Sequence, residues 1–149
     1  RFLIKQKKKV LVMNRMLNKL LIFYKGHVNV LEEVINTLFY IAESDGNVSD
    51  EEFKMIHHIS EIFGLSKIEF NGIVEGRKSS DKLNPYVVLE SKPDDNLADI
   101  RNKYLKLSKE HHPDLLLSRG VPQEVIEESK KKMRAINLAW DQVQKLKSN

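Results

Sequence analysis

Pro113 is the most restrictive residue in this sequence. It has no amide hydrogen to donate, and its ring drives the preceding His112 out of the helical region, so no single helix runs through it. Yet apolar residues recur at helical steps on both sides. Before it, Leu97, Ile100, Tyr104 and Leu107 cluster on one side of a helical wheel, with Asn102, Lys103, Lys106 and Lys109 opposite and Arg101 and Leu105 on a flank. After it, Leu115 to Gly120 reads as a loop and Val121-Pro122 opens a last helix. The apolar face of that helix is Val125 or Ile126, then Met133, Ile136, Ala139, Trp140 and Val143. The chain must fold back on itself. Two long antiparallel helices joined by a His-Pro-Asp turn result, with an imidazole and a carboxylate exposed beside a basic helix face.

The rest of the chain carries the same period. Val10, Met13, Leu17, Leu20, Leu21 and Tyr24 form one stripe, ended by Gly26 and His27. Leu31, Val34, Ile35, Leu38, Phe39 and Ala42 form a second, which stops at Asp45-Gly46. Ser49 and Glu52 have the spacing of a capping box, in which the hydroxyl accepts from the amide of the third helical residue and the carboxylate reaches back. Phe53, Ile56, Ile59, Ile62 and Phe63 are expected to be the buried side of the helix that follows. Gly64 suits a left-handed stop, and Ser66 with Glu69 repeats the box before Ile68, Phe70, Ile73 and Val74. Gly76 to Asn84 holds no apolar residue until Leu83 and reads as a linker; Pro85 then favours a short helix, Tyr86 to Leu89, and Ser91 to Asn96 a polar loop. The expected fold is all-α: a basic amphipathic lead segment over 1–27, a helical bundle over 28–76, a linker over 77–83 and a second helical module over 84–149.

Composition narrows the functions open to such a chain. Its 149 residues suit one domain or two small helical modules rather than one large two-layer enzyme core. With 41% hydrophobic and 31% charged residues it is too apolar to stay disordered. The absence of cysteine excludes disulfides, thiolate metal sites and cysteine nucleophiles. The net charge of +4 is unevenly spread: residues 1–26 carry eight bases and no acid, residues 27–72 nine acids and two bases, and residues 96–149 eleven bases and seven acids. An acidic block between two basic ones is unlike the single basic stripe of a nucleic-acid binder. No stretch approaches the about 20 mostly apolar residues of a membrane span, and no small-x-small pattern marks a signal peptide.

Two constellations of other chemistry fail on spacing. Asp45, Asn47 and Ser49 alternate like the start of an EF-hand loop, but the glycine falls at the second position and Ile56 occupies the twelfth. His57, His58, His111 and His112 lie near Glu61 or Asp114 in sequence. No HExxH, nucleophile motif or glycine-rich phosphate loop accompanies them, so no catalytic, metal or cofactor site is expected.

Ile41 to Glu52 resembles the helix–Asp-Gly–helix signature of TerB-like helical domains. Tyr86 to Leu89, Ile100-x-x-x-Tyr104-x-x-Leu107, His112-Pro113-Asp114 and Ile136-Asn137-x-Ala139-Trp140 resemble the helices and signature loop of a DnaJ J-domain. The order of the two, with His111-His112-Pro113-Asp114 and Gly120-Val121-Pro122, is similar to the DjlA branch. The resemblance implies a cochaperone without its own catalytic site, which binds a DnaK-type chaperone and promotes ATP hydrolysis and client capture. It implies that His112, Pro113 and Asp114 are the stimulating loop, with Asp114 meeting a cation on the partner, and that Arg101, Tyr104, Lys106 and Lys109 belong to the docking helix. The helical phase of Tyr104 fits core packing as well as contact. Leu105 and Glu110 stand where the family commonly has bases, His111 where it has tyrosine, and Leu115 where it has a base. This docking surface is therefore less positive than usual.

The resemblance also implies homodimerisation or recruitment of another protein through the TerB-like part. Neither nucleic acid nor membrane is an expected partner of these residues. A cytoplasmic location is implied, at the cytoplasmic face of the inner membrane if an anchor precedes Arg1. The competing reading is a basic helical nucleic-acid-binding or scaffold protein without chaperone activity.

Overall fold

The computed structural model describes residues 1–44 and 46–148; Asp45 and Asn149, and the side chains of Gln6, Lys9, Val10 and Met13, lie outside the described residues. The expected roles of Val10, Met13 and Asp45 fall there. Among the described residues eight helices follow one another: α1 (Phe2–Phe23), α2 (Val28–Glu43), α3 (Asp50–Ile62), α4 (Lys67–Gly76), α5 (Pro85–Val88), α6 (Leu97–Glu110), α7 (Pro113–Ser118) and α8 (Gln123–Ser148). No strand occurs among the described residues, so the all-α class holds. No helix among them is long and apolar enough to cross a membrane.

Both capping boxes form. The Glu52 amide donates to Ser49 Oγ at 3.1 Å and the Ser49 amide to Glu52 Oε1 at 3.0 Å. Glu69 and Ser66 repeat the exchange at 3.1 and 2.8 Å. These bonds set the starts of α3 and α4 and pull the Glu52 carboxyl below its usual range, the backbone donor being the larger cause. Leu31, Ile35, Phe39, Ile56, Ile59, Phe63, Phe70 and Ile73 form a first core, which Leu17 of α1 joins. A second core gathers Val88, Leu89, Ile100, Leu107, Ile136, Ala139 and Val143 from α5, α6 and α8.

The two cores are bridged. Val30 of α2 packs with Leu116 of α7, Val121, and Val125 and Ile126 of α8, so the 26-residue α8 lies against α2 at its start and α6 further on. Beside this contact Arg77 makes paired bonds to Glu43 at 3.1 and 2.8 Å. It also donates to Glu128 Oε2 at 3.0 Å and to the Asn36 carbonyl at 3.1 Å. Burial opposes the guanidinium charge, but Glu43 and Glu128 more than offset it.

Four expectations need correction. Residues 115–120 are not simply a loop, because α7 runs to Ser118 with Pro113 at its start and Leu116 fully buried on Val30. Phe53 remains 38% exposed, its ring edge-on to Phe70 at the rim of the first core. Ile68 is 58% exposed, since the neighbours of α4 bury only Phe70, Gly72 and Ile73 within it. Leu97 is exposed beside Asp141, Gln144, Lys145 and Ser148, the polar last turns of α8.

The segment 77–83 is anchored at both ends, by the Arg77 bonds and by buried Leu83, while residues 78–82 are exposed. Trypsin is therefore expected to cut after Lys78 or Lys82, with the two fragments still eluting together in size-exclusion chromatography, because the α2–α8 contact survives the nick. Separation of the fragments under native conditions would show that this contact is too weak to hold the halves together.

Candidate functional site around the His-Pro-Asp turn

The turn is built by local chemistry. His111 ends α6, its amide donating to the Leu107 carbonyl at 3.0 Å. Pro113 then holds His112 extended, at φ −65° and ψ 131°. In that conformation His112 Nδ1 accepts from the Asp114 amide at 3.1 Å and caps α7. An accepting Nδ1 places the imidazole proton on Nε2. The Asp114 side chain is 89% exposed and that of His112 53% exposed, so both face outward.

The neighbouring face of α6 is open and basic. Arg101, Lys103, Lys106 and Lys109 are exposed, and Lys106 approaches Glu110 only to 4.0 Å. Leu105 interrupts this face at 45% exposure. Tyr104 is placed differently: its ring stacks on Trp140 with centroids 5.2 Å apart, and its hydroxyl donates to Asn137 Oδ1 at 3.0 Å. It ties α6 to α8 and leaves the basic side chains as the exposed set. Because Tyr104 faces Asn137 and Trp140 while Leu97 lies by Lys145, α6 and α8 run antiparallel.

Sequence reasoning missed the side chain beneath the turn. His111 is fully buried between two carboxylates of α2, with Nδ1 2.7 Å from Glu33 Oε1 and Nε2 2.8 Å from Glu32 Oε2. The first contact has hydrogen-bond geometry, whereas the second is an ion pair off the N–H direction. Burial works against the imidazolium, yet the two glutamates overcome it and raise its pKa to about 9. Burial in turn lifts Glu32 above the usual carboxylate range, with His111 pulling the other way. The available signal was the pair Glu32-Glu33 set directly after Leu31 inside an apolar stripe.

The histidines weighed as a hydrolase or metal site are not brought together. His57 sits on α3 with Glu61, at 3.2 Å, away from the buried His111 cluster. No group of three or more His, Asp or Glu among the described residues is placed to hold a metal ion.

Comparison with known proteins agrees with the helical reading. Residues 17–75 match the family described as "Tellurite resistance protein TerB", a span that takes in the last third of α1 and runs into the last turn of α4. The chain is similar to "Co-chaperone protein DjlA" of Vibrio parahaemolyticus, 30% identical over 77 residues, which are 52% of this chain and 27% of that protein. The DjlA proteins of Mannheimia succiniciproducens and Escherichia coli K12 are 39% and 40% identical over 62 and 60 residues, 42% and 40% of this chain and 22% of each relative. No solved structure matches. The matched part of the chain thus spans about a quarter or less of the curated relatives, and what the comparisons establish is a TerB match over residues 17–75 in a chain similar, over part of its length, to DjlA co-chaperones.

Proposed function

We propose that this chain is a cochaperone: residues 84–149 act as a J-domain that docks on a DnaK-type chaperone and stimulates its ATP hydrolysis, so that the chaperone closes on a client. The observation that carries the reading is the exposed His-Pro-Asp turn between antiparallel helices, with the Asp114 carboxylate projecting into solvent beside a basic helix face. Similarity to proteins described as co-chaperones supports it. Lys106, Lys109 and Arg101 would steer the chain towards an acidic surface, a long-range effect that raises the encounter rate and weakens with salt. Asp114 would then meet a cation on the partner through a charge-assisted bond. With a DnaK-type partner, the activity would be cytoplasmic.

The test is single-turnover ATP hydrolysis by a DnaK with and without the chain. Acceleration that saturates with added chain supports the proposal. Absence of acceleration, together with salt-sensitive binding to nucleic acid, favours a basic binding or scaffold protein instead.

Leu105 gives a gain-of-function prediction. Leu105→Arg should change stability by less than about 0.5 kcal/mol, because the side chain is largely solvent-facing. The substitution completes the basic face, so less chain should be needed for half-maximal stimulation at low salt. Titrations of the two proteins at matched ionic strength check it. A large fall in melting temperature would mean that Leu105 contributes packing that its exposure does not reveal.

A further inference from the structure

The turn is not free on its inner side. His27 and the first half of α2 hold the segment from Glu110 to Ile126 at four places. Asn29 Nδ2 donates to the Glu110 carbonyl at 2.6 Å. His111 is gripped by Glu32 and Glu33 at 2.8 and 2.7 Å. Val30 packs on Leu116, Val121, Val125 and Ile126. Arg119 Nη1 donates to His27 Nε2 at 3.1 Å. These contacts join residues 78 to 92 positions apart in sequence wherever a hydrogen bond is made to His111, Glu110 or Arg119. They occupy one side of the turn and leave His112 and Asp114 open on the other.

We propose that α2 is the positioning element of the His-Pro-Asp turn: the Glu32–Glu33 pair holds His111, and through it fixes the direction in which His112 and Asp114 are offered to a partner. His111 is thereby a positioning residue, one peptide bond from the stimulating loop and never in contact with the partner. The consequence for ATP hydrolysis rests on the cochaperone reading; the clamp does not.

Charge makes this clamp adjustable. Besides Glu32 and Glu33, the groups that bear on His111 or its partners are Lys132 from α8, Glu69 from α4 and Glu90 after α5. Lys132 is buried, its ammonium 3.4 Å from the Gly72 carbonyl. Glu90 is lifted above the usual carboxylate range by burial first and then by Glu32. The positive members are thus outnumbered by carboxylates. Removing the proton from His111 would leave Lys132 as the remaining cation of this set, so the grip on the turn should loosen as pH rises through about 9.

Hydrogen exchange on the full chain, corrected for intrinsic rates at each pH, tests the clamp without a partner. Protection of the amides from Leu115 to Gly120 should fall about tenfold or more between pH 7 and pH 10 in the wild type, while amides in the middle of α3 keep theirs. In the double variant Glu32→Gln, Glu33→Gln, which keeps shape and removes the charges, the same amides should be weakly protected at pH 7 and insensitive to pH. His111→Tyr, whose phenol ionises only at about pH 10 or above, should show no loss of protection between pH 7 and pH 9, and it guards against misfolding of the double variant.

With a DnaK present, the double variant should lose most of its maximal stimulation while its half-saturating concentration stays within about twofold, because the α6 face is untouched. Protection of the turn that does not change with pH in the wild type overturns the clamp, whatever the ATPase does. Unchanged maximal stimulation in a double variant with a loosened turn overturns the positioning role. A turn that titrates as expected in a wild-type chain that stimulates no DnaK supports the clamp and overturns the cochaperone reading.

Discussion

Stimulated ATP hydrolysis should fall to the unstimulated rate in Asp114→Asn and in His112→Gln, with the fold preserved in both. The carboxylate of Asp114 is 89% exposed and approaches His112 Nδ1 only to 3.9 Å, beyond hydrogen-bond distance, so the amide changes little except charge. Its place in the first turn of α7 contributes about 0.3–1 kcal/mol through the helix dipole, and that small term is the expected loss of stability. His112→Gln removes the Nδ1 acceptor that caps α7, and caps are worth about 0.5–2 kcal/mol. The melting temperature should therefore drop slightly more for His112→Gln than for Asp114→Asn. Circular dichroism, thermal melts and single-turnover hydrolysis with a DnaK separate these effects. Full stimulation by either folded variant counts against a J-domain mechanism, and unfolding of Asp114→Asn would reduce the turn to a structural element.

The largest loss of stability should come from His111→Ala. The substitution leaves Glu32 and Glu33 buried without their cation, and breaking a buried ion pair from one side costs about 3–5 kcal/mol. Chemical denaturation should show that loss, with the variant more stable at pH 5 than at pH 8, because protonation relieves the stranded carboxylates. The wild type has its own pH dependence. Unfolded His111 gives up its proton near 6.5 and the folded residue near 9, so its contribution is complete below about pH 6.5 and declines as pH rises to about 9. Glu32 and Glu90, both lifted by burial, act with the same sign from a lower pH. A stability profile that is flat between pH 6.5 and pH 9 would contradict the ion pairs around His111.

What the sequence revealed was whatever is decided within a few residues. The two capping boxes, the left-handed Gly64 at φ 80° and the break at Pro113 are such features, and each lies where expected. The exposed placement of His112 and Asp114 follows from the same local rule. Contacts across long stretches of chain leave no comparable trace. Nothing in the neighbourhood of His111 indicates that Glu33, 78 positions earlier, will receive its Nδ1, and Arg77 gives no hint of Glu128, 51 positions on. Helix α7 escaped for a different reason, since its six residues are too few to display a period and its burial depends on Val30. Phe53 and Ile68 show the converse error, where a helical stripe continues past the edge of the surface available to cover it.

Helix α8 has a consequence for how chains of this kind diverge. Over 26 residues, about 39 Å at 1.5 Å per residue, it presents Ile126 and Glu128 to Val30 and Arg77, and then Ile136, Ala139 and Val143 to the α5–α6 side. A change of side-chain volume at Val30, or of charge at Arg77, therefore creates pressure for a compensating change some 50 to 96 positions away. Among relatives sharing this arrangement, positions 77 and 128, 33 and 111, and 30 and 126 should vary as pairs. Chimeras that exchange residues 84–149 alone should be less stable than those that carry residues 27–43 with them.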